Sequence, residues 1–194
     1  MKSLYNFIIK PLNSRYDNIR KVGDKTLIIN TTIENHRFVS KQAVVVSVPA
    51  AYSSHIKIGD NVYVHHNIFR RWYDQKGKER NSSMYFKDDL YFCTPDQIYM
   101  YNNKPHGPYC FVKPILNKDY LSINKEQPNV GIMKYTNSSL EAIGITPGTL
   151  VTFTPNSEFE FIIDNERLYC MKSNDIALTH EYEGNEKEHN PSWA

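Results

Sequence analysis

Three groups of side chains in this 194-residue chain are of types that could do chemistry: the adjacent histidines His65-His66, the adjacent carboxylates Asp88-Asp89, and the cysteines Cys93, Cys110 and Cys170. Imidazoles and thiolates hold a metal ion when three or four converge, and a carboxylate pair can divide acid and base duties. None of the three groups has the spacing for this. His65-His66 ends a strand-like apolar run, where neighbours point to opposite faces, so the two rings are expected to diverge. Asp88-Asp89 is expected to split across a strand in the same way or to occupy a turn. The cysteines are odd in number, form no CxxC pair and each sit in an apolar stretch, which predicts buried free thiols of a reducing compartment. No phosphate-binding glycine loop, HExxH, nucleophile elbow or kinase signature occurs. The expectation is a non-enzymatic protein with no catalytic residue, no metal and no cofactor.

With catalysis set aside, binding is what remains to be placed. Hydrophobic residues make up 40% and charged residues 23%, enough apolar content for a buried core. A net charge of +2 is too balanced to predict a nucleic-acid-binding face. The one basic cluster, Arg70, Arg71, Lys76, Lys78 and Arg80, is interrupted by Trp72, Tyr73, Asp74, Gln75 and Glu79 and reads as a solvated hairpin tip. The apolar N-terminal stretch is stopped by Lys10-Pro11, too short for a signal peptide, and no segment approaches the ~18 apolar residues of a membrane helix. A cytoplasmic protein that binds neither nucleic acid nor membrane is expected.

The elements that must position any binding residues read as strands. Ala43–Val48 ends at Pro49, Asn61–His65 follows the turn signal Gly59-Asp60, and Leu90–Cys93 ends at Thr94-Pro95 before Gln97–Tyr101. These runs are short, rich in β-branched and aromatic residues, and bounded by Gly, Pro, Asp and Asn, which predicts an all-β chain. Ser138–Ile143 is the one short helical candidate. Three blocks recur in the same order: Tyr5–Leu12 as Tyr109–Leu116, Ile56–Val64 as Gly144–Phe153 with Gly59 matching Gly148, and Leu90–Ile98 as Leu168–Ile176. The chain therefore reads as two copies of one module. Residues 103–108 form a linker, and the seven residues Asn102–Pro108, with two prolines and a glycine, can span at most about 25 Å.

The order of these blocks resembles the GroES-like co-chaperonin family. The matching features are a strand ending in Lys10-Pro11-Leu12, a long loop, the strand Val44–Val48, the turn Ile56-Lys57-Ile58-Gly59-Asp60 leading into Val62-Tyr63-Val64, and the closing block Asp88–Ile98, repeated as Glu166–Ala177. The resemblance implies two tandem, partly open GroES-like β-barrels. The first would span residues 1–102 with a mobile loop at about 13–40, and the second residues 109–182, followed by a polar tail at 183–194. It also implies a homo-oligomeric ring in which first and last strands of neighbouring modules pair, here Gln97–Tyr101 with Tyr109–Lys113.

By the same resemblance the function is that of a co-chaperonin, which caps a GroEL-type chaperonin ring and assists ATP-dependent folding of an unfolded client. If the chain is phage-encoded, its compartment is the host cytoplasm. The chaperonin-binding residues implied are Leu27, Ile28 and Ile29, an apolar triplet in an otherwise polar loop. The competing reading of that triplet is a packed strand paired with Arg37–Val39. Phe69, Trp72 and Tyr73 are candidate cavity-facing aromatics that could meet the client or, alternatively, cap the core. The alternative function is a structural or assembly protein, for example of a phage particle, using the same modules as adhesive units.

Overall fold

The computed structural model describes residues 2–16, 19–28, 38–117 and 126–181. The chain forms two compact units, Met1–Asn103 and Lys104–Ala194. In the first unit the strands are β1 (Phe7–Pro11), β2 (Ile19–Val22), β3 (Lys25–Ile28), β4 (Gln42–Ser47), β5 (Asn61–Val64), β6 (Arg71–Tyr73), β7 (Glu79–Asn81), β8 (Tyr85–Lys87), β9 (Leu90–Cys93) and β10 (Ile98–Tyr101). A two-residue strand β11 (Lys104–Pro105) follows. The second unit carries β12 (Tyr109–Leu116), β13 (Glu126–Tyr135), the single helical turn α1 (Ser138–Glu141), β14 (Leu150–Phe153), β15 (Phe159–Ile163), β16 (Glu166–Lys172) and β17 (Ile176–His180).

The sequence repeat is a repeat of topology. The first sheet runs β10-β5-β4-β1-β9-β8, with β11 beyond β10, and the second runs β17-β14-β13-β12-β16-β15. Strand for strand these are the same order. The ladders of both sheets named here are antiparallel, and neither order closes on itself. The all-β class holds as two large open antiparallel sheets. Strand β10 pairs with β5, and β12 with β13 and β16, each within its own unit.

Register shows how close the copies are, and corrects the sequence alignment by one residue. Phe7 faces Cys93 across β1/β9, and Cys110 faces Met171 across β12/β16. Phe7 therefore corresponds to Cys110, Ile9 to Val112, and Lys10-Pro11 to Lys113-Pro114. Matching Tyr5 with Tyr109 was one step out. Each first strand carries a register irregularity at the same place, between Ile8 and Ile9 and between Phe111 and Val112. The last pairings repeat one as well, β10 against β5 and β14 against β17.

The turn before the third sheet strand repeats the same backbone bonds in both units. Gly59 and Gly148 have φ of 92° and 94°, which only glycine adopts without strain. Their N–H groups donate to the carbonyls of Val45 and Met133, each at 2.8 Å. The Val45 and Met133 N–H groups return bonds to the carbonyls of Asp60 and Thr149. The two-residue turns Asp88-Asp89, Asn102-Asn103 and Asp164-Asn165 all have positive φ, a geometry that Asn and Asp tolerate better than other non-glycine residues.

Side chains from equivalent positions form the two cores. Phe7, Ile9, Val45, Ile56, Val62, Val64, Cys93 and Ile98 in the first unit correspond to Cys110, Val112, Met133, Ile145, Val151, Phe153, Met171 and Ile176 in the second. Burying each such aliphatic or aromatic group is worth about 1.5–3 kcal/mol. Gly131, opposite Pro114, marks the closest approach: a Cβ there would lie 2.4 Å from Val112 Cγ1 and 2.6 Å from the Lys113 carbonyl oxygen. Its counterpart opposite Pro11 is Ala43. Gly131→Ala is expected to destabilise the second unit by about 1–3 kcal/mol, read as an earlier urea midpoint, from the overpacking it forces. Ala43→Gly in the first unit relieves no clash and is expected to cost about 1 kcal/mol or less.

Candidate docking surface

The long connection of the first unit is closed at its root and structured within. Leu12 N–H donates to the Gln42 carbonyl at 3.1 Å, Ser40 N–H to the Arg15 carbonyl at 2.9 Å, and Tyr16 and Val39 form an antiparallel bridge. Beyond the root, β2 and β3 make a hairpin that pairs Ile19 with Ile28 and Arg20 with Leu27. Leu27 and Ile28 thus lie on a strand whose partner is Ile19–Val22; Arg37, of the alternative partner Arg37–Val39, lies outside the described residues. Leu27 is 51% exposed and belongs to no core cluster. Among the described residues the ribbon has two strands and no third element against which to bury it. Ile29 lies outside the described residues.

The three aromatics separate. Phe69 is fully buried and packs edge-on against Tyr91, with ring centroids 4.9 Å apart. It is a core residue and not cavity-facing. The reason is local: a 3-10 turn at His66–Ile68 ends the strand pattern and feeds Ile68 and Phe69 inward before β6 begins. Trp72 and Tyr73, on β6 itself, are 45% and 50% exposed. Strands β6 and β7 form a separate ribbon, pairing Arg71 with Asn81, Trp72 with Arg80 and Tyr73 with Glu79. The ribbon's turn is organised by Asp74, whose carboxylate accepts from the N–H groups of Lys76 and Lys78 and from Arg80 Nε. The Lys78 amide bond is the largest influence holding that carboxyl below its ordinary range.

Arg15 and Tyr16, at the root of the long connection, fasten this ribbon to the sheet, and sequence patterning did not single them out. Arg15 donates through Nε and Nη2 to the Phe69 carbonyl, at 3.3 and 3.0 Å, and through Nη1 to Asn81 Oδ1 at 2.9 Å. Its guanidinium also stands 5.3 Å from the centre of the Tyr91 ring. The buried Tyr16 hydroxyl accepts the Arg71 N–H at 2.8 Å, and the Arg71 guanidinium lies over the Tyr16 ring. One dipeptide therefore holds the root of the β2–β3 connection, the entry and exit of the β6–β7 ribbon, and Tyr91 of the sheet. An RY pair just after Pro11-Leu12-Asn13-Ser14 was the available signal, but its partners lie more than fifty residues away.

The residues suited to chemistry take structural places. His65 and His66 do not diverge: β5 ends at Val64, the strand alternation stops there, and the rings stack with centroids 4.5 Å apart. His65 Nδ1 accepts the Asn67 N–H at 3.1 Å and so caps the 3-10 turn. Burial, and then the nearby Lys41 charge, lower its pKa. Asp88-Asp89 forms the β8–β9 turn. The cysteines are free and buried, and burial pushes the Cys110 thiol up to about 12 and that of Cys93 higher still. Among the described residues, no cluster of three or more His, Cys, Asp or Glu could hold a metal ion, and no helix is long and apolar enough to cross a membrane. The chain matches no protein-family model and no curated protein.

Two outcomes test this surface. Arg15→Gln removes charge-assisted bonds worth about 1–3 kcal/mol locally. Trypsin is expected to cut about tenfold faster both at Arg20–Lys25 and at Lys76–Lys78, the two sites rising together. For His65, the folded pKa lies below the unfolded value of 6.5, so its contribution is complete above that value and is lost as pH falls toward the folded one. Thermal midpoints measured from about pH 7 down to about pH 5 are expected to fall less for His65→Asn, whose Oδ1 can still accept the Asn67 N–H.

Proposed function

We propose that this protein is a co-chaperonin: a doubled module that caps a GroEL-type chaperonin ring and assists ATP-dependent folding of an unfolded client, with no catalytic activity of its own. In this reading the two open sheets are the partly open GroES-like barrels of a homo-oligomeric ring acting in the cytoplasm, the host's if the gene is carried by a phage. The observation that carries it is Leu27, an exposed aliphatic side chain on a hairpin that stands apart from the core yet springs from a hydrogen-bonded root. Burial of Leu27 and its neighbours in a partner's apolar groove would supply about 1.5–3 kcal/mol each before the cost of ordering. Several copies in a ring would multiply such weak, releasable contacts.

A second reading, a structural or assembly protein, draws on a different observation. The edge strand β15 presents Phe159 and Ile162 to solvent, and the opposite edge strand β17 presents Leu178. Exposed apolar edges of this kind promote pairing with other chains.

The distinguishing experiment is chaperonin-dependent refolding of a denatured client in the presence of ATP. The wild type is expected to restore refolding, and Leu27→Asp and Ile28→Asp to reduce it by about tenfold or more. Leu27→Asp is also expected to leave the thermal midpoint unchanged. The Arg20–Lys25 sites are expected to be cut by trypsin in the free protein and protected by chaperonin plus nucleotide. Refolding that is indifferent to both substitutions would remove the docking assignment.

A further inference from the structure

The β6–β7 ribbon is an addition that the fold does not need. The first unit spends residues 65–84 between β5 and β8, whereas the second connects β14 to β15 with residues 154–158 and reaches the same strand order. An element absent from one copy without loss of topology is retained for something other than folding.

What the ribbon presents is specific. Alternation along β6 and β7 puts Arg71, Tyr73, Glu79 and Asn81 on one face, where Arg71 pairs with Glu79 and covers Tyr16, and Asn81 accepts from Arg15. That face is tied to the body of the unit. The other face carries Trp72 directly opposite Arg80, flanked by Asp74 and Lys78. Residues 70–80 hold five cations against two carboxylates. Both carboxylates are engaged, Glu79 by Arg71 and Asp74 by Arg80. Arg70, Lys76 and Lys78 are left with side-chain charges that find no partner among the described residues, and Arg70 Nε is withdrawn from solvent without an acceptor. An exposed tryptophan beside unneutralised arginine and lysine, on a ribbon pre-ordered by the Asp74 turn, is the composition of an interface anchor.

We propose that the β6–β7 ribbon is a docking site for an acidic segment of a partner polypeptide, with Trp72 taking an apolar or aromatic side chain and Arg70, Lys76 and Lys78 pairing with its carboxylates. The charge of the ribbon requires an anionic partner. Single-stranded nucleic acid fits less well, because its binding surfaces stack successive bases on several rings, and here Tyr73 turns to the opposite face. The Asp74 carboxylate also interrupts the cationic track that a continuous phosphate backbone would follow. Separate carboxylates on a peptide can straddle it. The proposal is independent of the co-chaperonin reading and of Leu27.

The test is made on the full chain carrying Trp193→Phe, so that Trp72 alone reports. A peptide of about twelve alternating Glu and Tyr residues is titrated at low salt, with a Lys/Tyr peptide and an oligothymidylate of similar length in parallel arms. The acidic peptide is expected to shift Trp72 emission to the blue, to bind at least about tenfold more tightly than either comparison probe, and to weaken as salt is raised. The triple change Arg70→Gln, Lys76→Gln, Lys78→Gln is expected to weaken it by about tenfold or more. A second variant, Trp72→Ala, followed through a label on the peptide, is expected to do the same. Thermal midpoints of Trp72→Ala and of the double change Lys76→Gln, Lys78→Gln should stay unchanged, since these side chains lie outside the core. Equal binding of the acidic and basic peptides, undiminished binding by the triple variant, or tighter binding of the oligothymidylate would each overturn the proposal.

Discussion

Each unit depends on its first strand being paired on both edges while its side chains are buried on both faces. Phe7, Ile8 and Ile9 are all buried, β4 occupies one edge of β1 and β9 the other, and β12 repeats the arrangement between β13 and β16. A strand so placed has little freedom of register, because a slip of one residue would move each side chain to the opposite face of the sheet, into space packed around its neighbour, and break two ladders together. The remaining strands are hung on it. The irregularity after Ile8 and after Phe111 falls at the same point of both ladders, and the glycine turn that reaches back to Val45 or Met133 brings the third strand alongside.

This constraint explains which features of the fold were legible in the sequence. Strand runs bounded by glycine, proline and Asx residues declared themselves, as did the glycine turn and the closing block, since all rest on local chemistry that a single strand or turn reveals. Register did not. Three consecutive buried residues in Phe7–Ile9 and in Cys110–Val112 erase the period-two alternation, so matching aromatic residues looked as good as matching the Lys-Pro step that the ladders in fact align. The pairing of Leu27 with Arg20 was hidden for a similar reason, because a partner strand reading Ile-Arg-Lys-Val carries no alternating hydrophobic signature. His65 was misjudged because strand alternation was carried one residue past the end of its strand.

The candidate surface was half visible. Exposed apolar and aromatic residues within polar stretches could be picked out by composition, and Leu27, Trp72 and Tyr73 are exposed. Phe69 could not be separated from them, since its burial follows from a three-residue turn with no strong signal of its own. The bracket made by Arg15 and Tyr16 was out of reach for a deeper reason. Apart from the bond of Arg15 to Asn81 Oδ1, its bonds go to backbone groups of Phe69 and Arg71, and a backbone acceptor or donor leaves no mark on residue identity.

The pairing of Phe7 with Cys93, set against that of Cys110 with Met171, bears on how the duplicated modules have drifted apart. Each pair joins a larger side chain to a smaller one across adjacent strands of the core, but the larger member stands on the first strand in one copy and on the penultimate strand in the other. The sizes at the two positions are complementary in each copy. A chimaera that moved only one strand between modules would set phenylalanine against methionine in one hybrid, and in the reciprocal hybrid bring two cysteines face to face. The first would be crowded and the second hollow, with a pair of facing thiols where the parent proteins hold theirs apart. Strands of these modules are therefore exchangeable in pairs and not singly.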